Sequence, residues 1–98
     1  DYQGSVIVLP KQTISWDVNV LDDVNLGSLA PVLAEDPCIE ILLIGCGEAM
    51  QLLPRSLMDT CRQKGLAIDT MDTGAACRTY NILAAEGRRV AAGLVALS

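Results

Sequence analysis

Two short polar segments hold the residue types that could do chemistry. The turn Gly45–Gly47 follows the apolar run Ile39–Ile44, and Asp72 and Thr73 follow a second strand-like run. Glycines let the backbone approach a phosphate closely, and the free N–H groups at a helix start can hold a phosphate or a carboxylate. Because the carboxyl ends of parallel strands meet at one edge of a sheet, we expect both segments to border one crevice.

Internal roles compete with a ligand in both segments. A dinucleotide-binding fingerprint needs a third glycine, and this chain has Met50 at that place. Asp72 can cap the following helix with its own carboxylate, which would occupy the N–H groups that an anion needs. Arg78 and Thr79 supply further donors one turn along. The pattern favours a strand-ending turn and a helix cap, and it leaves a ligand site open as the alternative.

The composition gives little support to nucleophilic or metal chemistry. The chain has no His and four cysteines, which form no Cys-x-x-Cys pair, so we expect reduced, mostly buried thiols, no metal and no cofactor. Cys77 is expected to be buried. Cys46 lies between two glycines and is expected to be exposed, which leaves a redox sensor open. Glu48 and Asp72 are the carboxylates that could converge for acid and base work, a weak signal without a known separation.

Length and charge limit the classes of protein. The chain has 98 residues, enough for one domain over 1–98, and 51% of them are apolar. Twelve acidic residues against seven basic ones give a formal charge of −5, which would repel a nucleic acid. The longest apolar run, Ile39–Ile44, is far shorter than the roughly 20 residues that a membrane-spanning helix needs. We therefore expect neither nucleic-acid binding nor an integral membrane span.

Hydrophobic periodicity predicts eight elements in the order ββαβαβαβ. Alternating and β-branched residues indicate strands, whereas apolar residues three or four apart indicate helices. The expected strands are Ser5–Leu9 and Thr13–Val18 as a hairpin, Ile39–Ile44 as the central strand, Leu66–Met71 and Val90–Leu97; the expected helices run over 26–33, 53–65 and 73–87. This order predicts an α/β fold in which helices cover the sheet.

The last helix and the last strand carry the most detailed expectations. The helix should bury Ala76, Tyr80 and Ala84 together with Leu83, while Asn81 lies on another face. Small residues of the final strand, among them Gly93, should let a helix approach the sheet closely.

The run Met71–Asn81 is unusual enough to indicate a family. Its sequence MDTGAACRTYN, followed by Glu86–Arg88 and the last strand, resembles the C-terminal signature of a family of small archaeal, bacterial and mitochondrial proteins. The eukaryotic members include a mitochondrial complex I assembly factor. The likeness extends upstream through the Gly45–Gly47 turn to the first strand, although Cys46 stands where the family usually has Thr.

The resemblance implies a three-layer α/β domain with a mixed central sheet, in a family that normally has a further stretch before Gly4. It brings no established reaction. The implied role is non-catalytic and chaperone-like: binding another assembly factor or a complex I subunit and helping early subunits join at a membrane. The implied location is the cytoplasm of a bacterium, peripheral to the membrane, or a mitochondrion. Homo-oligomerisation is left open.

Two hypotheses from different classes follow. The first is a non-catalytic interaction protein that assists assembly of a respiratory or other membrane-associated complex. The second is a small-molecule-binding protein or enzyme that uses the crevice between the glycine turn and the following strand-helix junction. The absence of His and the sparse acid and base groups favour the first. For either hypothesis the predicted binding residues are Gly45, Cys46, Gly47, Asp72, Thr73, Arg78, Thr79 and Asn81.

Overall fold

The computed structural model describes residues 5–10, 12–16, 18, 24–35, 38–46 and 53–95. Their elements follow the order ββαβαβαβ that the sequence predicts. The strands are β1 (Val6–Val8), β2 (Thr13–Ser15), β3 (Ile41–Gly45), β4 (Ala67–Met71) and β5 (Val90–Leu94), and the helices are α1 (Ala30–Leu33), α2 (Arg55–Gln63) and α3 (Thr73–Ala85). Residues 96–98, over which the last strand was expected to continue, lie outside the described part.

The five strands form one mixed sheet in the order β2-β1-β5-β3-β4. β1 pairs antiparallel with β2 and β5, and β3 pairs parallel with β4 and β5. The predicted hairpin is confirmed by the pairing of Ile7 with Ile14. The apolar strand β3 lies between β5 and β4. The middle strand of the sheet is β5, because the hairpin β1-β2 pairs with the edge of β5 that faces away from β3.

The two parallel crossovers run in opposite directions along the sheet. From β3 the chain passes through α2 to the adjacent β4, and from β4 it returns through α3 past β3 to β5. Because such crossovers are right-handed, opposite directions place α2 and α3 on opposite faces of the sheet. The result is a three-layer α/β fold with a mixed central sheet, as the family resemblance implies.

The sheet divides the hydrophobic core in the same way. The larger cluster lies on the face of α1 and α2 and takes alternate strand residues such as Ile7, Leu42 and Ala91. The smaller cluster lies beneath α3 and includes Leu43 and Val90. Each fully buried Leu or Ile stabilises the fold by roughly 1.5–3 kcal/mol, so the larger cluster carries most of the hydrophobic stabilisation.

The small residues of β5 serve different neighbours. Ala92 faces α3, where it borders a groove with Tyr80. A Cβ atom on Gly93 would instead meet the ring of Trp16 on the opposite face. The expectation that Gly93 admits a helix is therefore corrected, because the space above this glycine is filled by an indole ring.

Local signals fix where the helices begin and end. Asn25 and Ser28 exchange backbone-to-side-chain hydrogen bonds of 2.9 Å that hold a turn, so the first helix begins at Ala30 instead of Leu26. Pro31 lies in the first turn of α1, where a missing N–H costs nothing.

Glycines with positive φ end the two longer helices, as predicted. Gly65 follows α2 with φ 87°, and Gly87 follows α3 with φ 79°. No helix in the described part of the chain has both the length and the apolar composition to cross a bilayer.

Candidate functional site

The two predicted polar segments meet at the carboxyl ends of β3 and β4. Gly45 ends β3 opposite Met71, the last residue of β4. A Cβ atom on Gly45 would lie 3.0 Å from the Cα atom of Thr73, so the first turn of α3 lies directly against this glycine. The backbone N–H of Cys46 donates to the carbonyl oxygen of Met71 over 2.8 Å. The strand order therefore makes the two segments neighbours.

Gly47, Glu48 and Met50, which follow β3 in the sequence, lie outside the described residues. The described part of the edge is closely packed, since Thr73 is half-buried and its Oγ1 atom also lies 3.2 Å from the Cβ position of Gly45. Position 45 therefore favours glycine, because a side chain there would crowd the first turn of α3.

Asp72 caps α3 as the sequence predicts. Its Oδ1 atom accepts a hydrogen bond of 2.8 Å from the backbone N–H of Ala75, and its backbone conformation is extended, as an N-cap requires. The carboxylate therefore takes one of the N–H groups that a bound anion would need, and its charge stabilises the positive end of the helix.

Further along α3, several polar side chains remain available. Arg78 and Asn81 are exposed, and Thr79 and Tyr80 are half-buried. Within the described residues, the side chains of these four make no hydrogen bond and no ion pair. The guanidinium of Arg78 lies back over the first turn, where its Nη1 atom is 3.3 Å from the position of a Cβ atom on Gly74.

A groove of about 260 Å³ lies beside these side chains, between α3 and the strands β1 and β5. We call it the α3 groove, and it is lined by Val8, Cys77, Tyr80, Asn81, Ala92 and Leu94. Asn81 was predicted as a site residue, whereas the strand residues were not. The sequence could have indicated Val8 through the alternation of β1. Its neighbour Ile7 belongs to the larger core cluster, so the side chain of Val8 lies on the opposite face of the sheet.

The outer surface of α3 carries little charge compared with that of α2. The exposed residues of α3 are Cys77, Arg78, Asn81, Ile82, Ala84 and Ala85, with Gly74 in the first turn, and only one of them is charged. Ala84 was predicted to be buried and is exposed, because α3 covers β3 and β5 with the Ala76 and Leu83 side only. A helix face depleted of charge is typical of the centre of a protein-protein interface.

The exposure of the thiols differs from the expectation. Cys77 is exposed instead of buried, Cys46 is half-buried instead of exposed, and Cys38 is exposed. The expectation of mostly buried thiols is therefore wrong. Cys61 lies on the buried side of α2 and is fully buried, and burial raises the pKa of its thiol.

A second, larger groove of about 520 Å³ lies on the other face of the sheet, between α2 and the turn that precedes α1. It is lined partly by Val24, Leu26, Pro54 and Leu57, and the side chain of Leu26 is 40% exposed. None of the predicted binding residues that the structure describes borders it.

The fold and these surfaces define a class of protein: a small three-layer α/β domain with a weakly charged helix face and, among the described residues, no cluster of His, Cys, Asp or Glu that could hold a metal ion. The chain belongs to the DUF498/DUF598 family, a family described as proteins of unknown function, which it matches over residues 1–95.

Named relatives and a solved structure agree with this assignment. The chain is 39% identical over 92 residues to the NADH dehydrogenase (ubiquinone) 1 alpha subcomplex assembly factor 3 of Xenopus tropicalis, covering 94% of this chain and 50% of that protein. It is 30% identical over 92 residues to the 13 kDa major membrane protein of Francisella tularensis, covering 92% of this chain and 73% of that protein. The NMR structure of the Rpa2829 protein from Rhodopseudomonas palustris matches with a TM-score of 0.89 at 40% identity, over 98% of this chain and 71% of that one.

These relatives confirm the family predicted from Met71–Asn81, with assembly factors and bacterial proteins among its members. The chain spans about half the length of the assembly factors that it matches.

Proposed function

We propose that this protein is a non-catalytic assembly protein, which binds another protein through the α3 groove and helps subunits of a respiratory complex of the complex I type to join. The observation that carries the proposal is the pair Tyr80 and Asn81. Both border the α3 groove, and neither side chain has a hydrogen-bond partner among the described residues. A polypeptide partner could supply those partners.

The chemistry of the α3 groove suits a peptide segment. Val8, Ala92 and Leu94 give it an apolar floor, which favours burial of apolar side chains from a partner. The amide of Asn81 and the hydroxyl of Tyr80 give it polar edges, which can read the backbone or a polar side chain of that partner. A partner that buried the amide or the hydroxyl without a hydrogen bond would lose roughly 1–3 kcal/mol of binding free energy for each group. This penalty would favour partners that supply matching hydrogen bonds.

The predicted binding residues take two roles in this proposal. Gly45, Asp72 and Thr73 hold the amino end of α3 against the sheet, and through it they position the groove. Arg78 and Asn81 then contact the partner directly. Cys46, at the edge where β3 ends, and Thr79 on α3 complete the described part of the predicted surface, and Gly47 lies outside the described residues.

The names of the relatives support the choice of partner. The vertebrate relatives are named as assembly factors of NADH dehydrogenase, so the proposed partner is a second assembly factor or a subunit of that complex. A bacterial relative is named as a membrane protein. We place the activity at the membrane periphery, on the cytoplasmic side in a bacterium and inside the mitochondrion in a eukaryote.

Site-specific crosslinking in the native cell tests the proposal. A photoreactive maleimide is attached to Cys77 in one variant and to Cys38 in a matched control, with the other accessible thiols changed to Ser and the buried Cys61 left in place. We expect a complex I subunit or assembly factor to crosslink through Cys77 and not through Cys38, which lies before β3 at the opposite end of the sheet. Equal crosslinking from both positions, or normal maturation of the complex in a deletion strain, would refute the proposal.

A pair of substitutions tests the groove itself. Asn81→Arg places a bulky cation at the groove edge, and Gln63→Arg makes the same change at an exposed position of α2, on the opposite face. We expect Asn81→Arg to abolish capture of the complex I partner and Gln63→Arg to leave it unchanged.

The alternative function is binding of a small molecule at the edge where β3 and β4 end. It draws support from the topology, because the two strands lead into helices on opposite faces, and such a switch point forms a crevice in open α/β sheets. A metabolite that raises the melting temperature of the wild-type protein but not of Arg78→Ala would favour it. If no metabolite in a broad screen stabilises the wild type, the alternative has no support.

A further inference from the structure

Ile82 is the most exposed large hydrophobic side chain in the described part of the chain. It is 59% exposed on the outer surface of α3. Arg78 lies four residues before it and Glu86 four residues after it, and residues at this spacing share one stripe of a helix. Glu86 is the C-cap residue of α3 and is exposed like Arg78. The outer surface therefore carries a cation, a large apolar side chain and an anion in a row.

Neither charged end of this stripe forms a direct ion pair inside the described part of the molecule. Arg78 and Glu86 have no ion-pair partner within 4.0 Å among the described residues. The nearby Arg88 forms its direct ion pair with Glu40, over 2.8 Å, and the charge of Glu86 interacts with Arg88 without such a contact. Both Arg78 and Glu86 can therefore still form a direct ion pair with another molecule.

The order of the three residues is self-complementary. If two copies of α3 pack antiparallel with Ile82 at the two-fold axis, Arg78 of each copy faces Glu86 of the other, because both lie four residues from the axis. A two-fold interface uses the same patch on both molecules, so it requires this kind of symmetry. The stripe meets that requirement with one ion pair on each side of a central apolar contact.

We propose that the stripe Arg78, Ile82 and Glu86 is a self-association surface through which two copies of this chain form an antiparallel α3-α3 dimer. The neighbouring exposed residue Ala85 is small, which lets two helix axes approach to the usual distance of roughly 8–10 Å. The exposed face of α2 lacks such a pattern. It carries the charged residues Arg55 and Asp59, but no large exposed hydrophobic side chain lies between them.

This dimer would leave the α3 groove accessible. Cys77 in the groove and Ile82 in the stripe are five residues apart, which places them roughly 140° apart around the helix axis. Arg78 belongs to both proposed surfaces, but Asn81 borders the groove and Ile82 does not, so Asn81→Arg and Ile82→Asp test the two proposals separately.

Sedimentation equilibrium and native mass spectrometry of the full chain measure the association. We expect a dimer for the wild type, a monomer for Ile82→Asp, and an unchanged dimer for Leu26→Asp, which alters the second exposed large hydrophobic side chain among the described residues. Circular dichroism checks that each variant is folded, as expected for substitutions at exposed side chains.

A charge swap tests the pairing independently of Ile82. Arg78→Glu and Glu86→Arg should each weaken the dimer, raising its dissociation constant roughly tenfold, because two opposed pairs become repulsive. The double substitution should restore wild-type affinity, since the swapped charges face each other again. The control Arg55→Glu should have no effect. A wild-type monomer at all concentrations, a dimer that survives Ile82→Asp, or a double variant no tighter than the single ones would overturn the proposal.

Discussion

The indole ring of Trp16 lies directly on the backbone of Gly93. A Cβ atom on Gly93 would stand 2.7 Å from Cζ3 and 2.9 Å from Cη2 of the ring. The ring is 5% exposed, and its Nε1–H donates to the carbonyl oxygen of Ser28 over 2.8 Å. The contact joins the segment after β2 to the middle strand and to the turn before α1, and it explains why β5 needs a glycine on this face.

We expect Gly93→Ala to destabilise the protein by about 1–3 kcal/mol, because the added methyl group must displace a ring that is held by a hydrogen bond. Urea unfolding measures the loss. In a Trp16→Leu background the same substitution should cost clearly less, since a smaller side chain leaves room for the methyl group. Equal costs in the two backgrounds would show that the ring is not the obstacle.

Loss of the α3 cap should also be measurable. Asp72→Ala removes the acceptor for the N–H of Ala75, and we expect a loss of about 0.5–2 kcal/mol in unfolding free energy. Asp72→Asn keeps an acceptor and should retain most of the stability. Asp69→Ala changes an exposed carboxylate of the edge strand β4 and serves as the control. If all three substitutions have the same effect, the cap contributes nothing specific.

The ion pair between Glu40 and Arg88 predicts a pH dependence of stability. The hydrogen bond from Arg88 is the largest cause that lowers the pKa of the Glu40 carboxyl, and desolvation opposes it. The charges of Arg88 and Arg89 and a backbone hydrogen bond from Arg89 lower this pKa further. The carboxylate is thus favoured more in the folded than in the unfolded protein. Its stabilisation is present above the unfolded-state pKa and is lost as the pH falls through the folded-state pKa.

Glu40→Gln should therefore lower the melting temperature slightly at neutral pH and make no difference at strongly acidic pH. Thermal denaturation followed by circular dichroism across this pH range measures the difference in melting temperature between wild type and variant. This difference should shrink at high salt, because both partners of the ion pair are partly exposed. Asp59→Asn is the matched control, since Asp59 has no ion pair among the described residues. A difference in melting temperature that widens on acidification would contradict a stabilising role of the Glu40–Arg88 ion pair.

The four thiols should react at different rates in the native protein. Peptide mapping after brief alkylation should find Cys38 and Cys77 modified first and Cys46 more slowly, in line with their exposure. Cys61 should react only on unfolding, because burial both shields its thiol and raises the pKa of that thiol. Labelling of Cys61 as fast as Cys77 would mean that α2 does not cover the sheet as described. Rapid reaction of Cys46 alone would revive the redox-sensor hypothesis.

The sequence by itself determined the elements, their order and the glycine stops of the two longer helices. The alternation in β1, the cap at Asp72 and the stops at Gly65 and Gly87 depend on residues only a few positions apart. Such local interactions can be predicted from the sequence. The same is true of the family, because the run Met71–Asn81 is a local signature.

Only the tertiary structure decided which residues share a surface. The hairpin pairs with β5 across more than eighty positions of the chain, and this pairing brings Val8 beside Tyr80 and Trp16 onto Gly93. No periodicity within one element encodes such contacts, because they depend on the order of strands in the sheet. For the same reason the exposure of Cys77 and Ala84 could not be derived from helical spacing alone: it depends on how far the sheet extends beneath α3.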